Sequence, residues 1–350
     1  MKKFKKIAAL SLSAIMAVSL AACGGSQKEN TASSQTSAAA SSDGTIVLTI
    51  ASADGSGGIT HNGMLEFEKK VEERSEGRID VQIHMDSLLG GEREITEGML
   101  LGSIQMAPVS EGIYAVYDNN FSILELPYLF ADYDAFNNAC DGELGEYLNG
   151  LFEKYGFTCF GIFSMGYRGV ITKDKKVLAP SDMSGMKLRV PEVDSYIDAF
   201  AAIGANPTPM SWSEIYTGLQ QGTIDGMESS PPVINDSKFQ EVTKYFTATN
   251  HIMSTGAIVL STKFYESLPE DLKVIVKEEC EAVNQSLRTA YIDNWSSTLD
   301  SFESDYGIEV TYLDDAQYEA FKELVMPLYE SKWNDQYGKD LIDMCFSFSK

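Results

Sequence analysis

Histidine is nearly missing from this chain of 350 residues, occurring only at His61, His84 and His251. None has a partner at metal-ligand spacing, and no P-loop, G-x-S-x-G or H-E-x-x-H run is present. Recognisable machinery for metal-assisted hydrolysis, nucleotide chemistry or acyl transfer is therefore lacking. Cysteine is also sparse. Beyond Cys23, Cys140, Cys159, Cys280 and Cys345 stand far apart with no C-x-x-C. That argues against a metal site and leaves one disulfide or four thiols open. Positive charge is short, 27 Lys and Arg against 51 Asp and Glu. A nucleic-acid partner needs a cationic footprint, so that class is excluded. A small anionic ligand is not, because a few local arginines outweigh a distant, screened surface.

What is present begins with a leader. "MKKFKK" is basic, and an apolar run follows from Ile7 to Ala22. Sixteen residues are short against the ~20 that span a bilayer. Basic start, apolar core and small residues mark residues 1–22 as a secretory signal. The following "LAAC" resembles the bacterial lipoprotein box, which implies that Cys23 becomes a lipidated N-terminus holding the chain at a membrane. An ordinary signal peptide with a chance cysteine, or an uncleaved membrane helix, is the alternative. Residues 24–44 are rich in Ser, Ala, Thr and Gln without aliphatic bulk and read as a tether. Loss of residues 1–22 leaves 23 basic and 51 acidic residues, a net charge near −28.

The remainder from Thr45 exceeds what one core usually supports, so two lobes are expected. "IVLTIAS" (46–52) and "RIDVQIHMD" (78–86) alternate as strands. Residues 60–77 and 91–102 carry helical spacing, and 103–112 run from strand into loop. The middle repeats this β-α-β-α-β order with "MKLRVP" (186–191), 194–204, 206–210, 211–222 and 223–229. Residues 159–173 form a crossing strand. Residues 268–307 form one helical pattern with acids at its start and Gly307 at its stop. Such a helix outreaches one lobe and spans both. The expectation is an α/β, two-lobed fold: residues 45–165 with about 255–294 form one lobe, and 166–254 with about 295–350 the other.

"ANPTPMSWSEIYTGLQQGTIDGMESSPP" (205–232) has the spacing of a capping box at Ser211 and Glu214. Trp212, Ile215, Tyr216 and Leu219 then share a helix face. As structure alone, this is a β-α-β piece of a core. In open α/β sheets, however, ligands sit beyond the carboxyl ends of strands. Such ends are Val109 to Gly112, Val190 to Ser195 and Met227 to Ser229. Ala53, past the first strand, is a further candidate. Trp212 offers either a flat wall to a ligand or core packing.

"LRVPEVDSYIDAFAAIGANPTPMSWSEIYTGLQQGTIDGMES" and "KFQEVTKYFTATNHI" (238–252) resemble the solute-binding proteins of tripartite ATP-independent periplasmic (TRAP) transporters, of the dicarboxylate-binding type. Residues 77–107 and "LELPYLF" (124–130) extend the likeness over nearly the whole mature chain. The resemblance implies a periplasmic-binding-protein-like fold that closes on an organic acid and hands it to a membrane permease. It implies that Arg189 grips the ligand carboxylate and that Arg168 assists. Alternation agrees in part: Met186, Leu188 and Val190 take one strand face and leave Arg189 on the other. A planar guanidinium offers a carboxylate two parallel bonds. After the "DG-x-E" that ends in Glu228, the family often has asparagine, and this chain has Ser229. Some sialic-acid-binding members carry glutamate where Ser110 stands, with Glu111 one step later. Strand alternation turns Glu111 away unless the loop bulges. His61, at the first helix start, is a candidate ligand contact, whereas His84 reads as structural.

The ligand class implied is a C4-dicarboxylate or a sugar acid, with no cofactor and no metal. The partners implied are permease subunits and the membrane through Cys23, with a monomeric, extracytoplasmic protein. A binding protein of an ATP-driven transporter shares the leader and lobes but not the long helix with the 204–229 motif. An enzyme on such a frame would leave a product, whereas a binder returns its ligand unchanged.

Overall fold

The computed structural model describes residues 44–349. The expected signal peptide, Cys23 and, apart from Gly44, the tether lie outside the described residues. No described helix is long and apolar enough to cross a membrane.

The chain opens as expected with β1 (Ile46–Ala51), α1 (Ile59–Arg74), β2 (Ile79–His84), α2 (Glu92–Leu101) and β3 (Met106–Val109). Two 3-10 segments, Glu111–Val116 and Asn119–Glu125, lead to α3 (Tyr133–Asp141), α4 (Glu143–Lys154) and the long strand β4 (Phe157–Tyr167). The second unit comprises β5 (Gly169–Thr172), β6 (Lys187–Val190), α5 (Asp194–Ile203), β7 (Asn206–Pro209), α6 (Ile215–Gln221), β8 (Gly226–Ser229), α7 (Pro231–Asp236) and β9 (Tyr245–Ala248). Then come β10 (Met253–Ser261), α8 (Thr262–Ser267), α9 (Glu270–Tyr306), β11 (Glu309–Tyr312), α10 (Asp315–Val325), α11 (Asn334–Tyr337) and α12 (Lys339–Ser347).

Two sheets result. The first has the order β2-β1-β3-β10-β4 and the second β11-β9-β5-β8-β6-β7. In the first, β1 pairs parallel with β2 and β3, while β10 runs antiparallel to β3 and β4. In the second, β6 is parallel to β7 and β8, while β5 is antiparallel to β8 and β9. The chain crosses between sheets three times, from β4 to β5 at Arg168, from β9 to β10 over residues 249–252, and from β10 to β11 through α8 and α9.

Helix α9 is a single helix of 37 residues, ~55 Å at 1.5 Å per residue. Its first half buries Leu272, Val276, Val283, Leu287 and Tyr291 with α1 and the first sheet. Its end buries Leu299 and Phe302 with the second sheet. It also holds the crossing point: Trp295 Nε1 donates to Tyr167 O at 2.9 Å. A side chain on Gly166 would come within 2.6 Å of that indole, at φ +91°, which restricts the position to glycine. The C-terminal helices pack on both units. Tyr329 Oη donates to Pro127 O (2.8 Å), and Lys332 Nζ reaches Asp198 of α5 (2.6 Å). The four described cysteines are unpaired.

The capping box expected at Ser211 and Glu214 does not form. Trp212–Glu214 is a 3-10 turn, in which Glu214 N bonds Ser211 O at 3.1 Å. The tight turn gives that amide to the backbone, so the Ser211 hydroxyl turns to Ser213 (3.3 Å) instead.

Candidate functional site

The strand ends of both sheets meet at a cavity of about 40 Å³, several times the ~10–15 Å³ that one water needs. It opens through Glu92, Arg189, Pro191 and Trp212 into a mouth of about 560 Å³. The second sheet contributes Arg189 near the end of β6 and Ser229 at the end of β8. The crossing strands contribute Met165, Arg168 and Ser254.

Arg189 is buried because β6 lies between β7 and β8, pairing it with Thr208 and Met227. Its Nε and Nη2 donate to Met210 O at 3.0 and 2.8 Å. No described residue accepts from Nη1, and among the described residues no carboxylate pairs with the guanidinium. Burial pushes its pKa down to about 10 against the opposing pull of Glu228 and Glu92, so the group stays charged at neutral pH without a directly paired carboxylate. The Trp212 ring lies under it, with Cζ 5.4 Å from the ring centroid. That ring is fixed edge-on to Phe239 at 5.0 Å and by Nε1 to Ser237 Oγ at 3.2 Å.

Arg168 is differently placed. Its Nε and Nη2 fork onto the Glu228 carboxylate, Nη2 at 2.7 Å from Oε1. Nη1 donates to Ser254 Oγ at 2.9 Å, and Nη2 also to Glu228 O at 3.1 Å. His251 Nε2 stands 3.3 Å from Glu228 Oε2, and its Nδ1 2.7 Å from Thr249 Oγ1. Burial alone would push the Glu228 carboxyl up, but the Arg168 guanidinium outweighs it and holds it below the ordinary range. Burial holds His251 low, favouring neutral imidazole.

The first lobe supplies an acidic wall. Asp54 lies past β1, and Glu92 in the first turn of α2. Glu92 Oε1 accepts from Ser110 N at 2.9 Å, and Ser110 Oγ reaches Glu125 at 3.3 Å. Burial pushes the Glu92 carboxyl up to about 7 and also raises Asp54. Outside the cavity, the Asp236 carboxylate at the end of α7 accepts from Ile59 N at 2.9 Å, at the start of α1. A side chain on Gly58 would lie 2.3 Å from that carboxylate.

Of the residues singled out in the sequence, Ala53, Ser110, Arg168, Arg189, Trp212 and Ser229 line the cavity, whereas Glu228, Glu111 and His61 do not. Glu228 touches Arg168 instead. Glu111 is turned into the core, fully buried with neither oxygen partnered, and burial pushes its carboxyl well up. His61 Nδ1 accepts from Gly57 N at 2.7 Å. Asp54, Glu92, Tyr196 and Ser254 were missed. Asp54 obeys the same strand-end rule that selected Ala53. Glu92 is one acid among many in an acidic chain, and only the fold distinguishes it.

Residues 50–336 match the model of the bacterial extracellular solute-binding protein family 7. A C4-dicarboxylate-binding periplasmic protein of Shewanella loihica is 31% identical over 283 residues, 80% of this chain and 82% of that protein. A TRAP periplasmic solute-binding protein of a Polaromonas species, solved bound to D-erythronate, superposes with TM-score 0.81 at 28% identity, covering 86% of this chain and 98% of the other. One from Shewanella oneidensis with bound succinate gives 0.84 at 26% identity, covering 87% and 100%.

Proposed function

The chain belongs to family 7 of the bacterial extracellular solute-binding proteins, and on that premise we propose that it captures a small organic acid between its lobes and delivers it to a TRAP permease. One observation carries the ligand class. Arg189 is a buried cation facing a cavity, and although Glu228 and Glu92 act on it through space, no described carboxylate pairs with it directly. A ligand carboxylate supplies the missing partner, with the Nη1 edge free to donate. Arg168, held by Glu228, takes a supporting place through its lining atoms. Trp212 and Tyr196 wall the ligand, and Ser110 and Ser229 offer hydroxyls. Glu228 acts through Arg168.

The relatives' ligands support this reading: a C4-dicarboxylate, D-erythronate and succinate are all organic acids. The protein is a binder rather than an enzyme and, through lipid on Cys23, is held at the membrane face. Cys23→Ser should release it from the membrane fraction, since two acyl signals hold firmly where one does not.

Thermal-shift screening against an organic-acid library tests the central claim. A ligand specific for the native state stabilises it by ~2.7 kcal/mol at one hundred times Kd. At least one organic acid should raise the melting point of wild type and not of Arg189→Ala. A library in which only neutral sugars or cations act would overturn the reading. Recovery of the ligand unchanged after incubation separates binding from turnover.

A further inference from the structure

We infer that Cys140 and Cys159 are a thiol pair open to modification: a disulfide oxidant joins them into a bond that ties α3 to the edge strand β4. The pair lies at a groove that shares no lining residue with the ligand cavity, and it plays no part in the binding reading above.

The four described cysteines divide into two kinds. Cys280 and Cys345 are fully buried. Cys140 and Cys159 are only partly buried, and both line one groove of about 530 Å³. They reach it from different elements. Cys140 stands in the last turn of α3 and Cys159 near the start of β4. Strand β4 closes the first sheet and is bonded to β10 on one side only, and its residues 159–162 border the groove.

One guanidinium holds the two elements together. Arg288 of α9 forks onto Asp141, the neighbour of Cys140, at 2.8 Å to each oxygen. The same group donates to Ile162 O of β4 at 3.0 and 2.7 Å. The end of α3 is thereby pinned beside the strand that carries Cys159. The two thiols act on one another through space, and both pack against the same hydrophobic cluster. Cys280 also feels Cys159, but it belongs to a different cluster and is closed to an oxidant.

The chain belongs to an extracellular family, and extracellular surroundings are oxidising. Glutathione disulfide serves as the probe oxidant. One protein thiolate attacks a glutathione sulfur, the sulfur–sulfur bond breaks, and a first glutathione leaves. The second protein thiolate attacks the protein sulfur of this mixed disulfide, and the second glutathione leaves. The protein pair is oxidised by two electrons, and its two protons pass through solvent to the departing glutathiones. Burial raises both thiols, Cys159 to about 12, so thiolate is scarce and exchange is slow at neutral pH. The bond closes residues 140–159 into a loop and restricts the unfolded chain.

Oxidation of the folded full chain at mildly alkaline pH, followed by blocking of remaining thiols and peptide mass mapping, tests this. The peptides of Cys140 and Cys159 should be linked, with the mass of two hydrogens lost, and Cys280 and Cys345 should be recovered as blocked thiols. The oxidised protein should melt about 5–10 °C higher than the reduced one, and dithiothreitol should reverse the shift. Cys140→Ser and Cys159→Ser should each abolish the shift, and in each the remaining partner should carry one glutathione. Both residues recovered as thiols, or each carrying its own glutathione in wild type, would overturn the inference. So would a link from either one to any other cysteine, or a Cys140–Cys159 bond that does not raise the melting point.

Discussion

Arg168 and Arg189 line one cavity and are hidden to nearly the same degree, 6% and 4% exposed. They are nonetheless built into different regions. Arg168 stands where the chain steps from one sheet to the other, and β5 brings it beside Glu228 of β8, since Val170 pairs with Glu228 across the ladder. Arg189 stands within the second sheet, and its backbone neighbours bring it a carbonyl and an indole but no acid. Burial therefore does not distinguish a cation that holds the fold from one that reads a ligand. The partner does: one charge is neutralised within the protein, and the other waits for something brought from outside.

The widest test of this contrast removes the neutralised arginine. Arg168→Met should leave Glu228 buried and unpaired, costing ~3–5 kcal/mol of stability as read from denaturant midpoints. Arg168→Met with Glu228→Met should recover much of that loss, because a well-packed apolar pair often replaces a buried ion pair at little cost. If the single variant unfolds at the wild-type midpoint, Arg168 is not the structural member.

Removing the other arginine should act on binding. Arg189→Ala should lose ~2–5 kcal/mol of affinity for the organic acid, roughly 30- to 4,000-fold, while the unliganded protein melts no lower than wild type. Arg189→Lys keeps the charge without the fork and should restore only part. Calorimetry showing Arg189→Ala within threefold of wild type would refute the division of labour.

Asp236→Ala lies outside both regions and serves as a control. It removes the acceptor that the α1 amide meets, a capping loss of ~1 kcal/mol. The loss should appear in the denaturant midpoint and leave affinity within about twofold of wild type, below ~0.5 kcal/mol, for every ligand. A loss that depends on the ligand would place Asp236 in the recognition machinery.

The smallest effect concerns two acids with opposite pH signs. Glu228 is held below its ordinary 4.5, so its contribution is complete above that value and is lost as pH falls through the depressed one. Glu92 is pushed from 4.5 up to about 7. Between those values the folded state holds a proton that the unfolded state has released, so stability declines as pH rises from about 4.5 to about 7. Glu92→Gln should abolish this decline and raise the melting point at pH 8 by about 1–3 °C. An unchanged slope in unliganded protein would show that Glu92 is ionised throughout.

Much of the fold was legible because period-two and period-3.6 patterns run unbroken, as in Ile79 to His84 or along α9. The candidate site was legible where a residue stands at or next to a strand's carboxyl end, as Ser229 and Arg189 do. It was opaque where a side chain's partner is set by register. Nothing local to "MGYRGV" says that Arg168 meets Glu228, sixty residues on. The resemblance named both arginines, yet their different situations emerge only from the ladder between β5 and β8. Glu111 and Ser110 are neighbours in sequence, but the 3-10 turn after β3 turns one into the core and leaves the other at the cavity.

The position of β10 bears on how the molecule is made. It lies between β3 and β4, yet it is synthesised after every strand of the second sheet except β11. Until residues 253–261 emerge, the first sheet exists as two pieces, β2-β1-β3 and β4, each with an unsatisfied edge. Pairing across so much chain is slow, and open edges recruit other strands in the meantime. The second sheet meets no such delay, because five of its six strands precede β10, so the lobe begun first is the one completed later.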